Sequence, residues 1–408
     1  MRALIGKALI GAAIAAMTVS GAWAQAQKNW KDRAEYDLYV ALTTAVQAND
    51  GAKALALLKE WTEKYPESDY ADARPTLELN AYKAANDPKG MIAAAEKILG
   101  ANPNDITANY WVCTLTLGNN MTAEEDLARA EKAGSILSTV AKPAEVDAAQ
   151  WPPVEKEMHA LGYKCAGFVA MQRKDNEKAE SNFESSLKVK AEDAQISSML
   201  GNVILAQKNT EKQSKALFHY ARAASYTGPG ALPDAPRQQI DTFFTNAYNR
   251  YHGEDAAGLE ELRTLAKSQA LPPADFKVLS EGESKAAADD KLKTEQPQLY
   301  FWQRLKSALT AENGSEYFSG GMKDALVPQS EQAPLKGTVV ESDRKTAKLA
   351  LSDASTPEVT LVFGTPLKAP LAAGTVVEFW GVAQKMTQSP FNLEFLIDGE
   401  QAKYRVAE

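Results

Sequence analysis

From residue 30 to about 270, apolar side chains recur at spacings of three and four, and the pattern is broken at near-regular intervals. This is the feature that most constrains the fold. Alanine is frequent throughout, as in amphipathic helices packed closely together. Tyr65-Pro66, Asn102-Pro103, Lys142-Pro143, Gly228-Pro229 and Pro272-Pro273 each end a helical run, because proline cannot continue one. Lighter polar turns lie between them, at Asn49-Asp50-Gly51, Asn86-Asp87-Pro88, Lys174-Asp175-Asn176 and His252-Gly253-Glu254-Asp255. Strong breaks alternating with light turns describe helix–turn–helix units that stack.

The unit from Ala160 to Ala191 carries Tyr163, Ala166, Gly167 and Ala170 in one helix, then Ala179, Phe183 and Ser186 in the next. Ala179, Phe183 and Ser186 recur as Ala216, Tyr220 and Ala223, a shift of 37 residues. Two helices approach closely only where one lacks bulk, and an aromatic fills the space beside them. Gly167, Ala179 and Phe183 fall where the tetratricopeptide (TPR) family places a small residue, an alanine and an aromatic, so the chain resembles that family. The resemblance implies a TPR-like α-α solenoid of about six helix pairs over residues 25–275, with degenerate end units. In the unit starting near Glu35, Leu42, Ala54, Leu58 and Pro66 fit. Trp111 and Cys113 open another, whose second helix, Ala123 to Val140, reads as longer than usual. The resemblance also implies a groove lined by first helices that holds a peptide or a partner's helix. Among Asn109, Tyr110, Gln172, Asn202 and Asn246, the residues chosen first as partner-binding are Tyr110 and Asn202.

Residues 276–333 read as a linker and a capping helix. Glu283 onward is charged and alanine-rich, and Leu299, Tyr300, Trp302, Leu305 and Leu309 form a short amphipathic stripe. The pattern then changes. Leu335–Glu341, Thr346–Leu351, Glu358–Phe363, Val376–Val382 and Asn392–Ile397 favour β-branched and aromatic residues between turn signals, which predicts five short strands. Residues 334–408 thus resemble a small five-stranded OB-like β-barrel. Of Phe379 and Trp380, adjacent in one strand, one must face in and the other out. Phe379 shares parity with Val377 and is expected in the core, which leaves Trp380 to bind a ligand or to dock against the helix of Trp302.

The N-terminus has the anatomy of a secretory signal over residues 1–24. Arg2 and Lys7 precede the apolar run Ala8–Val19, and Ala22-Trp23-Ala24 supplies a small–bulky–small cleavage site. The run is too short to span a membrane, which takes about 20 residues, and neither Gln25 nor Ala26 can accept a lipid as a cysteine would. The expectation is a periplasmic or secreted protein with no integral membrane anchor. Without Arg2 and Lys7 the balance is 43 basic against 53 acidic side chains, a net of −10. Scattered cations on an acidic chain disfavour nucleic acid. The two cysteines, Cys113 and Cys165, lie in the first helices of successive units. In an oxidising compartment they could form a disulfide, or they are two buried thiols acting as small hydrophobes.

Catalytic and metal motifs are missing from the sequence. His159, His219 and His252 stand far apart, and lone histidines most often pack at surfaces or turns. Ser185–Lys188 and Ser342–Lys345 satisfy S-x-x-K without its companion motifs. Glu124-Glu125 and Glu260-Glu261 read as solvated helix faces. The reading is a non-enzymatic scaffold that needs no cofactor and binds protein or peptide partners, of undefined oligomeric state. Two alternatives stay open: an envelope carbohydrate-binding or enzymatic protein acting through the β-domain, and a self-assembling structural protein.

Overall fold

A left-handed residue reverses the chain inside each helix pair. Asn49, Asn86, Asn120, Lys174 and Lys208 have φ between 49 and 63°, and Gly253 has φ of 96°. Asn tolerates this region better than most residues because its short amide bonds locally. An Asp often follows as the cap of the next helix: Asp50, Asp87, Asp175 and Asp255 each accept a backbone N–H from the first turn. Asp32, Asp105 and Asp193 do the same elsewhere, so part of the acidic excess serves to satisfy orphan amides.

The computed structural model describes residues 28–144, 146–329, 333–353 and 355–407. The signal sequence expected over residues 1–24 lies outside them. Contacts divide the chain into two units, separated after Val278.

Among the described residues the first unit contains six helix pairs: α1 Arg33–Gln47 with α2 Gly51–Lys64, α3 Arg74–Ala84 with α4 Pro88–Ala101, α5 Ile106–Gly118 with α6 Glu124–Leu137, α7 Trp151–Gln172 with α8 Asn176–Val189, α9 Ala194–Ala206 with α10 Gln213–Ser225, and α11 Asp234–His252 with α12 Ala256–Ser268. The TPR-like pairing expected from the sequence is present. The close approach falls at Gly167 and Phe183 as expected, where a Cβ on Gly167 would lie 2.5 Å from Phe183. Tyr220 meets a glycine the sequence reading did not single out, Gly201, on which a Cβ would lie 2.8 Å from it. Ala179, Ala216 and Phe183 are completely buried, and Tyr220 nearly so.

One expectation is corrected. The second helix of the third pair is not extended, since α6 has 14 residues; the extra length lies in α7, which has 22. Trp151-Pro152-Pro153 starts α7 well before Ala160, because proline in the first turn has no N–H to leave unpaired.

Along three successive second helices, one acid meets a base of the next pair. Glu96 of α4 pairs with Arg129 of α6 at 2.5 Å, and Glu131 of α6 with Lys178 of α8 at 2.9 Å. Glu180 of α8 pairs with Lys212 at 2.8 Å and with Lys215 of α10.

The second unit begins with α13 Glu281–Glu295, which starts on a Ser280/Glu283 capping box and has no buried residue. Next come α14 Pro297–Thr310, a single turn α15 Gly314–Tyr317, and the strands β1 Leu326–Val327, β2 Leu335–Ser342, β3 Thr346–Ala350, β4 Val359–Phe363, β5 Val376–Gln388, β6 Phe391–Ile397 and β7 Lys403–Val406. The five predicted strands are therefore joined by two short ones, β1 and β7, which had too few residues to show a period. Both pair with β5. Hydrogen bonding runs β5–β2–β3–β4–β6 and returns from β6 to β5, a near-ring in which only β4 and β6 are parallel.

The amphipathic helix α14 belongs to this unit's core. Trp302, Leu305 and Leu309 pack with Leu335, Val339, Leu361, Phe379 and Phe395. The buried Glu358 ties it there, accepting from Trp302 Nε1 at 3.1 Å, from Ser352 N at 2.7 Å, and from Lys306.

Candidate partner-binding surface

Neighbours on a helix stand about 100° apart, so a doublet of large apolar residues at the edge of the buried face turns one of the two away from the core. Two such doublets lie on first helices of the first unit. Ile204 and Phe244 are buried, and their neighbours Leu205 on α9 and Phe243 on α11 are 38% and 47% exposed. Asn202, one turn before Leu205, is exposed as well. Tyr220 joins the group from beneath. Its hydroxyl donates to Asn202 Oδ1 at 2.7 Å, and Phe243 packs against its ring at 4.8 Å. Burial pushes the Tyr220 phenol up to about 12, so it stays a donor at any ordinary pH. Asn202 is thereby fixed through its carbonyl oxygen, and its amide NH2 is the group left to address a partner. Asn202 and Leu205, three residues apart on α9, and Phe243 of α11, which meets the Tyr220 ring, define the candidate patch.

The sequence-predicted residues fall as follows. Asn202 belongs to this patch. Tyr110 is half-buried two pairs away and packs with a different core; its ring meets Trp111 at 5.2 Å, and Lys83 sits over Trp111 at 4.9 Å. The structure does not bring Tyr110 and Asn202 together. Asn109 has a structural role, since it is buried and its Nδ2 donates to Pro103 O at 3.0 Å and Asp105 O at 2.9 Å. Leu205 and Phe243 escaped the sequence reading, although the doublets Ile204-Leu205 and Phe243-Phe244 were the available signal.

In the second unit Phe379 is fully buried against Phe395 at 5.4 Å, and Trp380 is on the opposite face, as parity requires. Trp380 lies opposite Lys403 in the β5–β7 register, with Lys403 Nζ 5.6 Å and Arg405 Cζ 6.0 Å from its ring. The partner of Trp302 is Phe391, at 6.0 Å, rather than Trp380.

Cys113 and Cys165 are both free and buried in one core, and the Cys165 thiol donates to Ala130 O at 3.4 Å. The histidines do not converge, and no group of metal-binding side chains occurs among the described residues. His219 departs from the surface or turn role expected of it. It is completely buried, neither ring nitrogen has a hydrogen-bond partner, and burial lowers it to about 3, so it is neutral. Ser185 donates back to Ser181 O at 2.8 Å along its own helix, an arrangement that occupies the hydroxyl. Glu124 is an ion-pair partner of Arg173 at 2.5 Å. Among the described residues no helix is long and apolar enough to cross a membrane.

No protein-family model matches the chain, and no curated protein matches it. Several solved structures are similar to it, among them the following two. A thermophilic TPR protein of Thermus thermophilus has 14% identity and a TM-score of 0.27, over 52% of this chain and 98% of that one. The pilF protein of Pseudomonas aeruginosa has 14% identity and a TM-score of 0.29, over 71% of this chain and 98% of that one. Likeness at this distance says nothing of function.

Proposed function

We propose that this protein is an exported, non-catalytic scaffold that binds protein or peptide partners through the first-helix face of its TPR-like unit. The observation that carries the reading is the patch of Asn202, Leu205 and Phe243. Exposed large apolar side chains on a soluble surface, beside a polar group held in one orientation, suit an apolar side chain and a backbone carbonyl of a partner. Export rests on the signal-like residues 1–24, and with it a periplasmic or secreted location. The strand order and the single parallel pair support an OB-like barrel for the second unit.

A second reading has a specific observation behind it: Trp380 stands on the outward face of β5 with Lys403 and Arg405 beside it. An aromatic with basic neighbours suits a saccharide or another envelope ligand. In a third reading the protein self-assembles, and its mass in solution would then rise with concentration.

The experiment is a crosslinked pull-down from the native envelope fraction with wild type, Phe243→Glu, Tyr110→Ala and Trp380→Ala. Proteins captured by wild type and Trp380→Ala but lost with Phe243→Glu support the scaffold reading. Proteins lost only with Tyr110→Ala move the binding face to α5. Capture that depends on Trp380 alone, with glycan retained, transfers the function to the β unit.

A further inference from the structure

The chain has only two cysteines in 408 residues. A core residue touches roughly 6–12 others, so a second cysteine placed at random would meet the first about one time in forty. Here both fall in one place: Cys113 on α5 and Cys165 on α7 come from successive helix pairs that pack together, lie in one hydrophobic core, are both completely buried, and are near enough for one thiol to act on the other. The helices around them are closely set. Cys165 Sγ also donates to Ala130 O of α6 at 3.4 Å, and a Cβ on Gly134 of α6 would stand 3.4 Å from Cys165 Cβ.

Other uses of two adjacent thiols fit poorly. A nucleophilic or redox-sensing cysteine needs access and a stabilised thiolate. Both thiols are sealed from solvent, and burial pushes Cys113 well up. A metal site needs further ligands, and no group of three or more metal-binding side chains occurs among the described residues. Proximity without access is the arrangement of a crosslink made while the chain folds.

We propose that Cys113 and Cys165 are a structural crosslinking pair, joined as an intrachain disulfide that staples α5 to α7 when the chain folds in the presence of a disulfide oxidant. One cysteine thiolate attacks the oxidant's S–S bond, forming a mixed disulfide and releasing one thiol. The second cysteine attacks the protein sulfur of that mixed disulfide and releases the other thiol. The two protein thiols lose two electrons and two protons in all, and the oxidant's disulfide is reduced to two thiols. The inference does not depend on which face binds a partner.

The test is refolding of the full chain from denaturant, once with glutathione disulfide and glutathione and once with reductant, followed by alkylation under denaturing conditions. The oxidised sample is expected to carry no alkyl group, to yield one proteolytic species joining the Cys113 and Cys165 peptides, and to melt at least 5 °C above the reduced sample. Reductant should lower that melting temperature, and it should leave the Cys113→Ser/Cys165→Ser variant unmoved. Two alkylated thiols, glutathione mixed disulfides or interchain dimers in the oxidised sample would overturn the proposal. So would a bridge that fails to raise the melting temperature.

Discussion

The ring of Phe183 rests against the backbone of Gly167, so close that a Cβ on the glycine would stand 2.5 Å from the ring's Cδ1. The fourth helix pair can close at this point only because residue 167 has no side chain, and Phe183 is completely buried as a result. Replacing Gly167 by Leu should overpack the pair and cost about 1–3 kcal/mol or more. Urea denaturation is the measurement. Phe183→Ala in the same background should recover part of the loss, because it empties the space the leucine needs. An additive double variant would mean that the two sites are not in contact.

The second unit hangs on another such pair. Trp302 Nε1 donates to Glu358, which also accepts from the backbone of Leu351 and Ser352, from the Ser352 hydroxyl and from Lys306. Burial alone would raise this carboxyl, but these donors outweigh it and hold it below the ordinary glutamate range. Glu358→Ala leaves the donors stranded and should cost about 3–5 kcal/mol. Trp302→Phe keeps the ring's burial and loses one hydrogen bond, so about 1–2 kcal/mol is expected. If Trp302→Phe proves the costlier, packing rather than the carboxylate holds α14 in place.

How much of this was legible in the residues depends on range. The helix pairs were, because Gly167, Phe183, Ala216 and Tyr220 mark close approaches within single units, and such contacts impose a local period. Phe379 and Trp380 were sorted by strand parity alone. Long-range partners were not legible. Glu358 looks like any strand-edge acid until the fold brings Trp302 and Lys306 to it, and nothing near Glu180 in sequence announces Lys212 and Lys215. His219 was misjudged for a related reason: Ala216 to Ala224 are all buried, so its helix is covered on nearly every side by elements distant in the sequence, polar positions included. The two short strands β1 and β7 acquire their identity only by pairing with β5. Within the binding patch Asn202 could be chosen from its helix face, whereas Phe243 required asking which member of a doublet the core rejects.

Glu180 gives the first unit a defined acid sensitivity. Burial would raise its carboxyl, but hydrogen bonds from Lys212, Lys215 and Gln207 prevail and set it at about 2. In the unfolded chain it returns to the ordinary value near 4.5. A folded pKa below the unfolded one means stability that is fully present above about 4.5 and is lost as the pH falls toward 2. The two lysines are about one-third exposed, which screens the interaction and brings the expected contribution to about 2 kcal/mol. Glu180→Gln should therefore be less stable than wild type by about that amount at pH 7, with the gap closing between pH 5 and pH 2. Denaturant titrations at four or five pH values decide it. A gap that stays constant with pH would assign the loss to packing rather than charge.

The turns make the opposite kind of prediction, a gain. Lys174 and Lys208 occupy the left-handed positions that Asn49, Asn86 and Asn120 fill in other pairs, with φ of 63° and 56°. A lysine has no short polar group to bond locally, and its Cβ crowds the carbonyl in this region at a cost of about 1 kcal/mol. Lys174→Gly removes that crowding at the price of a freer unfolded chain, so the net gain should be about 0.5–1 kcal/mol, and Lys174→Asn should fall at the lower end. Lys174→Val places a β-branched residue where φ is positive and should cost about 1 kcal/mol or more. The same series at Lys208 should rank identically, because the two turns share their geometry. The order Gly, Asn, Lys, Val in melting temperature at both sites is the expected outcome. A Lys174→Gly variant that melts lower than wild type would show that the aliphatic stem of Lys174 contributes more through packing than its backbone costs in strain.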